Sequence, residues 1–121
     1  MKYKERFDFS TRIYQSNDIM TKYPTRIPII FESDDMSIPK LKRKKYLVER
    51  DFTLGNLMYI IRKHLDLTSD IAIYLLINTK LFPASELLGV IYDQNADNDG
   101  FLYINYSGES TFGKNWNYNL F

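Results

Sequence analysis

Cysteine is absent from this chain of 121 residues. That removes disulfides, thiolate catalysis and cysteine-bearing metal sites together, and fits a reducing compartment. No apolar run is longer than Ile71 to Ile77, far short of the roughly 20 residues that a membrane span needs. No apolar stretch follows Met1-Lys2-Tyr3-Lys4-Glu5-Arg6, so no secretory signal is visible. An excess of one charge is missing too, since 16 Lys and Arg face 15 Asp and Glu, a formal +1. Uniform electrostatic binding to nucleic acid or anionic lipid is therefore not expected. Apolar material is not scarce: hydrophobic residues make up 45%, with ten Tyr and eight Phe. That supports one folded domain with a core of its own, expected in the cytosol. The near-neutral total hides an asymmetry. Residues 1–50 hold twelve Lys and Arg against seven acids, net +5, and residues 51–121 hold four against eight, net −4. A two-signed surface orients partners more than it holds them.

The spacing of Phe7, Phe9, Ile13, Ile19, Met20 and Tyr23 predicts a helical arm over residues 1–24. Ser16-Asn17-Asp18 offers cap residues mid-way, so two short helices are expected, ended by Pro24. Arg26 to Glu32 reads as a strand, with Pro28 placing it at an edge or costing it a ladder bond. Tyr46-Leu47-Val48 follows as a second strand, joined to the first as a hairpin. Leu54, Leu57, Met58, Ile60, Ile61 and Leu65 then follow helical spacing, with Thr53 as N-cap and Arg62, Lys63 and His64 in the last turn. Ile71 to Ile77 reads as a strand buried on both faces, Leu87 to Tyr92 as a turn or two of helix, and Phe101 to Tyr106 as the last strand. Residues 107–121, rich in Gly, Asn and Ser, are expected outside the core. Helical arm, hairpin, helix and two further strands give an α+β design in the β-grasp order of ubiquitin, with two additional N-terminal helices.

Candidates for chemistry are few. His64 has no nucleophile-elbow pattern to serve, and a solvated cation near a helix C-terminus is the preferred reading. Asn95 to Gly100 has the spacing of the start of a calcium loop. Its twelfth position is Tyr106 rather than Glu, so a polar turn is preferred. Asn105-Tyr106-Ser107 matches a glycosylation acceptor, which matters only with a secretory signal. The basic run Lys40 to Lys45 suits phosphate or a solvated loop, and the near-zero net charge favours the loop. No cofactor, metal or active site is implied. Two features stay open. Lys45 to Val48 beside the apolar helix is either core or a free sheet edge that accepts an extended peptide as an added strand. Gly113, after Thr111 and Phe112, is either a turn residue or a terminus in waiting, since a residue without Cβ passes a narrow enzyme cleft.

Here the chain resembles the autophagy ubiquitin-like modifiers, the family of GABARAP and the microtubule-associated light-chain-type proteins. The stretches that carry the resemblance are Lys22 to Ile30, Lys44 to Val48, Ile60 to Lys63, Asp99 to Tyr103 and Tyr106 to Gly113, in order over residues 22–113. The resemblance implies an arm over 1–24, a ubiquitin-like domain over 25–113 and a tail, 114–121, removed by a cysteine protease that cuts after Gly113. Phe112 would be the recognition residue. Activating and conjugating enzymes would then pass the Gly113 carboxyl to phosphatidylethanolamine. The product would move from cytoplasm to autophagosome membranes and vesicles and recruit cargo receptors through aromatic-x-x-aliphatic motifs. By the same resemblance the aromatic pocket would use Ile19, Pro28, Ile30, Lys45, Leu47 and Phe101. The aliphatic pocket would use Tyr46, Val48, Phe52, Leu57, Ile60 and Ile61. Arg26, Lys44 and Lys45 would meet acidic residues beside the motif. The chain departs from the family's pattern in four places. Glu49 replaces the usual Pro and is expected at the rim of the aliphatic pocket. Tyr74 and Leu76 stand where Phe is common, Glu5 to Phe9 replaces the usual Glu-His-Pro-Phe, and the tail is eight residues long. The rival readings are an adaptor that is never conjugated, working in trafficking or cytoskeletal attachment, and a small hydrolase with only His64 and scattered Ser to offer.

Overall fold

The structure, a computed structural model, describes residues 1–108. Eight elements follow in order: α1 (Tyr3–Arg6), α2 (Phe9–Lys22), β1 (Arg26–Glu32), β2 (Lys45–Glu49), α3 (Leu54–Leu65), β3 (Ile73–Leu76), α4 (Leu88–Asn95) and β4 (Leu102–Gly108). They build one mixed sheet in the order β2-β1-β4-β3. β1 and β4 run parallel at its centre, and each outer strand is antiparallel to its neighbour. This is the ubiquitin-like arrangement with two helices added in front. No helix among the described residues is long and apolar enough to cross a membrane.

The arm does break into two helices, but not where the cap residues of its middle suggested. The break falls at Phe7, and Asp8 is the cap that starts α2, its carboxylate accepting from the Thr11 N–H at 2.9 Å. Ser16, Asn17 and Asp18 lie inside α2. Ser16 is buried and donates its hydroxyl to Ile13 O at 3.1 Å and to Asp99 O at 2.5 Å, so its polarity serves packing rather than capping. Gly100 completes that contact. It sits at φ +90°, and a Cβ there would lie 2.4 Å from Ser16 Oγ. The glycine of the calcium-like pattern is therefore needed for the turn and for the approach of α2.

The carboxylates of that turn are committed to the arm. Asp99 accepts from Arg12 Nε at 2.8 Å and from the Tyr103 hydroxyl at 2.5 Å, and Asp97 accepts from Lys4 Nζ at 2.5 Å. The bond to Asp99 holds the Arg12 guanidinium more firmly charged, while burial and then the same carboxylate push the Tyr103 hydroxyl up. Removing one partner of a buried ion pair leaves the other charge without compensation. Asp99→Ala is accordingly expected to cost about 3 kcal/mol and to lower the melting temperature by about 10 °C. A thermal melt followed by circular dichroism checks this, and a fall of under about 2 °C would show that the pair adds nothing.

Pro28 does not mark an edge, because β1 is an interior strand. On the β2 side the ladder uses odd positions of β1: Phe31 N–H donates to Lys44 O, and Arg50 N–H donates to Thr25 O. Pro28 is even-numbered, so its missing N–H faces the other side, where the register with β4 begins only at Ile29. The missing donor thus falls just outside both ladders. β3 corrects a second expectation. It is an outer strand with alternating burial, Ile73 and Leu75 inside and Tyr74 and Leu76 half-buried, not a strand covered on both faces. β4 extends past Tyr106 to Gly108. Ser107 and Gly108 are buried rather than outside the core, and Gly108 N–H donates to the buried Asp35 carboxylate at 2.6 Å. Residues 109–121 lie outside the described residues.

The two faces of the sheet follow from strand alternation. Ile27, Ile29, Phe31, Val48, Leu102 and Ile104 point to the face covered by α3, where Leu54, Leu57 and Ile61 complete the main core. Ile30 points to the opposite face, where Tyr3 and Phe101 close a smaller core with Ile19, Phe7 and Tyr103 packed on it. α3 begins at Thr53 as expected, with a capping box in which Asn56 N–H donates to Thr53 Oγ1 at 3.1 Å.

Candidate functional site

β2 pairs only with β1 among the described strands, so one of its two hydrogen-bonding edges is free. The ladder to β1 uses Lys44 and Arg50, and therefore the even positions between them. The N–H and C=O groups of Lys45 and Leu47 and the N–H of Glu49 point outward. The Glu49 carbonyl instead accepts from Phe52 N–H at 3.2 Å, closing the strand's end. A short run of unpaired main-chain groups is a template for an added strand.

The side chains along this edge alternate between two faces. Opposite Pro28 and Ile30 stand Leu47 and Lys45, which puts these four on the face of the N-terminal arm. Ile19 of α2 and Phe101 adjoin them through the smaller core. The expected aromatic pocket is thus brought together, but its members differ in access. Ile30 and Phe101 are fully buried, Pro28 is buried, Ile19 and Leu47 are half-buried, and Lys45 is exposed. Tyr3, which sequence reasoning missed, lies edge-on to Phe101 with ring centres 5.4 Å apart. Its N–H donates to the Glu32 carboxylate at 2.7 Å, and its hydroxyl bonds to Gln15. The Lys45 ammonium lies 5.5 Å from the Tyr3 ring centre and 5.9 Å from that of Phe101. Tyr3 carries no periodic signal of its own in so short a helix, and only the folded arm sets it on Phe101.

On the α3 face, Tyr46 and Val48 stand opposite Ile29 and Ile27. Leu57 and Ile61 are fully buried and belong to the core floor, whereas Phe52 and Ile60 are half-buried. Of the six residues expected in the aliphatic pocket, Tyr46, Phe52 and Ile60 are the ones an incoming side chain can reach. Tyr46 is held edge-on by Phe31 at 5.2 Å and by His64 at 5.6 Å. Burial pushes the Tyr46 hydroxyl up. His64 is exposed near the C-terminus of α3, as expected, yet it shares an open cleft with Lys42, Arg43, Lys45, Tyr46 and Leu47. Its i, i+4 relation to Ile60 was the signal that could have found it.

Among the cations expected beside the motif, Lys44 and Lys45 are exposed. Arg26 is already engaged. Glu49 does not stand at the rim of the aliphatic pocket; the register sets it opposite Arg26, on the arm face, where it takes the Arg26 Nε–H at 2.9 Å. Phe112 and Gly113 lie outside the described residues.

Comparison with known proteins agrees with this architecture. Residues 11–113 match the family described as autophagy protein Atg8, ubiquitin-like. The chain is 46% identical over 112 residues to autophagy-related protein 8 of Schizosaccharomyces pombe, covering 92% of this chain and 93% of that protein. The crystal structure of Trypanosoma brucei ATG8 superposes with a TM-score of 0.85 at 35% identity, covering 90% of this chain and 95% of that one. Plasmodium falciparum Atg8, solved in complex with a Plasmodium falciparum Atg3 peptide, superposes with a TM-score of 0.82 at 28% identity, covering 88% and 95%. With a β-grasp core, two helices in front of it and a family match that runs from α2 to Gly113, the chain belongs to the Atg8 family of ubiquitin-like autophagy proteins.

Proposed function

We propose that this chain is a conjugated modifier of autophagic membranes that also collects cargo receptors along the free edge of β2. The modifier is the substrate of the conjugating machinery rather than a catalyst. The observation that carries the adaptor half is the one free edge of β2, with half-buried Ile19 and Leu47 on one face and half-buried Tyr46, Phe52 and Ile60 on the other. In an added strand, residues an odd number apart point to opposite faces. An aromatic residue on the arm face and an aliphatic one three positions later on the α3 face satisfy that alternation. The aromatic hollow lies towards Lys45, while Phe52 lies past the other end of β2, so the peptide would run parallel to β2.

Conjugation is supported by the family match, which ends at Gly113, eight residues before the last residue, Phe121. Hydrolysis of the Gly113–Lys114 bond would free the glycine carboxylate. Adenylation by ATP with loss of pyrophosphate, then thioester formation with loss of AMP, would end in an amide with the amine of phosphatidylethanolamine as the enzyme thiol leaves. The solved Plasmodium falciparum complex with an Atg3 peptide supports a conjugating enzyme as one partner. Incubation with the matching cysteine protease, followed by intact mass, tests this reading. Loss of residues 114–121 is the expected result. A chain that stays whole would favour an adaptor that is never conjugated.

A further inference from the structure

The Glu49 end of β2 carries an ion pair that affects what the groove accepts. Arg26 and Glu49 face each other across β1 and β2. Glu49 accepts from Arg26 Nε through one oxygen at 2.9 Å and from the Thr25 hydroxyl through the other at 2.9 Å. These bonds, Arg26 first, hold the Glu49 carboxyl below its usual range. The Arg26 guanidinium also lies over the Tyr23 ring, 5.4 Å from its centre. Both side chains keep substantial exposure, 43% for Arg26 and 37% for Glu49. Exposed pairs of this kind add little to stability. This one instead sets the charge that a ligand meets.

Its position selects one residue of that ligand. In a strand parallel to β2 with its aromatic anchor on the arm face, the second residue after the anchor returns to that face. Two positions onward from the Lys45–Leu47 hollow lies the Glu49 end, where Arg26 waits. We propose that Glu49 is a specificity-determining residue of the groove, keeping Arg26 occupied so that an acidic residue at this second spacer position is disfavoured and a basic one accepted. The inference rests on the strand-addition reading above. A carboxylate there would meet a cation already neutralised and an acid of its own sign. An ammonium would meet the exposed Glu49 oxygens. Selectivity of this sort comes from a repulsive element as much as from an attractive one.

The test uses three synthetic peptides that differ only in Asp, Asn or Lys at the second spacer position, titrated calorimetrically at fixed ionic strength. The full chain should bind the Lys peptide about fivefold more tightly than the Asp peptide, the ratio that an exposed pair can supply. Glu49→Gln should reverse the order by a similar factor, and Arg26→Gln should widen the original preference. Added salt should narrow the preference of the unaltered chain, a check that needs no variant. The same ranking before and after Glu49→Gln, with binding retained, would overturn this inference alone. Failure of all three peptides on the unaltered chain would overturn the strand-addition reading and this inference with it.

Discussion

A chain that ends at Gly113 is expected to become attached to phosphatidylethanolamine vesicles with ATP and the activating and conjugating enzymes, no protease being added. The full-length chain should remain free until the protease is supplied, because Lys114 caps the carboxyl that must react. Gly113→Ala in the full-length chain should stay whole and unattached. A Cβ at that position obstructs a slot shaped for backbone, whereas glycine leaves it open. The effect is all or none, so flotation of vesicles with intact mass of the bound protein is enough to read it. The competing idea is that Trp116, Tyr118, Leu120 and Phe121 are needed as a structural cap. Truncation would then lower the melting temperature by several degrees, at about 4 °C for each kcal/mol lost. A truncated chain that both melts earlier and fails to attach would defeat processing at Gly113.

Leu47→Arg should abolish capture of aromatic-x-x-aliphatic peptides while leaving the fold in place. Leu47 is half-buried on the arm face, opposite Pro28, and its own N–H and C=O face the free edge. The substitution brings a guanidinium into an apolar hollow that an aromatic side chain would otherwise fill, close to the Lys45 ammonium. Burying an unpaired charge beneath a ligand costs several kcal/mol, so a loss of about a hundredfold or more is expected in a peptide titration. In the unbound chain the arginine head can reach water along the rim, so the far-ultraviolet circular dichroism should be unchanged. Undiminished affinity in a folded variant would show that no anchoring side chain enters the Leu47 hollow. Binding by main-chain pairing alone would predict that outcome, since the substitution keeps every backbone group.

Reading order along the chain was enough for the element types. β-branched runs at Arg26 to Glu32, the three-four spacing from Leu54 to Leu65 and the Thr53 cap are local signals, and the structure has each element there. The errors share one cause. Ser16 looks like a cap and Ile71 to Ile77 looks like an inner strand because composition reports burial only on average, and neither residue type nor run length says which element lies alongside. Ser16 is buried because Asp99 O and Gly100 approach it from 83 and 84 residues further on. β3 is half-buried because Ile73 and Leu75 pack into the main core while Tyr74 and Leu76, on the other face, stay partly open.

The sequence by itself determined the class of fold through local periodicity and the family through short motifs, neither of which needs knowledge of distant contacts, and the candidate pocket residues were what the resemblance implied. Tertiary structure alone decided which of those residues a ligand can reach. Leu57 and Ile61 share their helix with Ile60, yet helical geometry turns them into the core and leaves Ile60 half-exposed at the flank. Ile30 and Phe101 are sealed by Tyr3, a residue from the far end of the chain. Arg26 and Glu49 are 23 residues apart and neutralise each other only because the antiparallel register sets them face to face. Charge counts along a chain are additive, but the charge that a partner meets depends on pairing, and pairing is a property of the folded sheet.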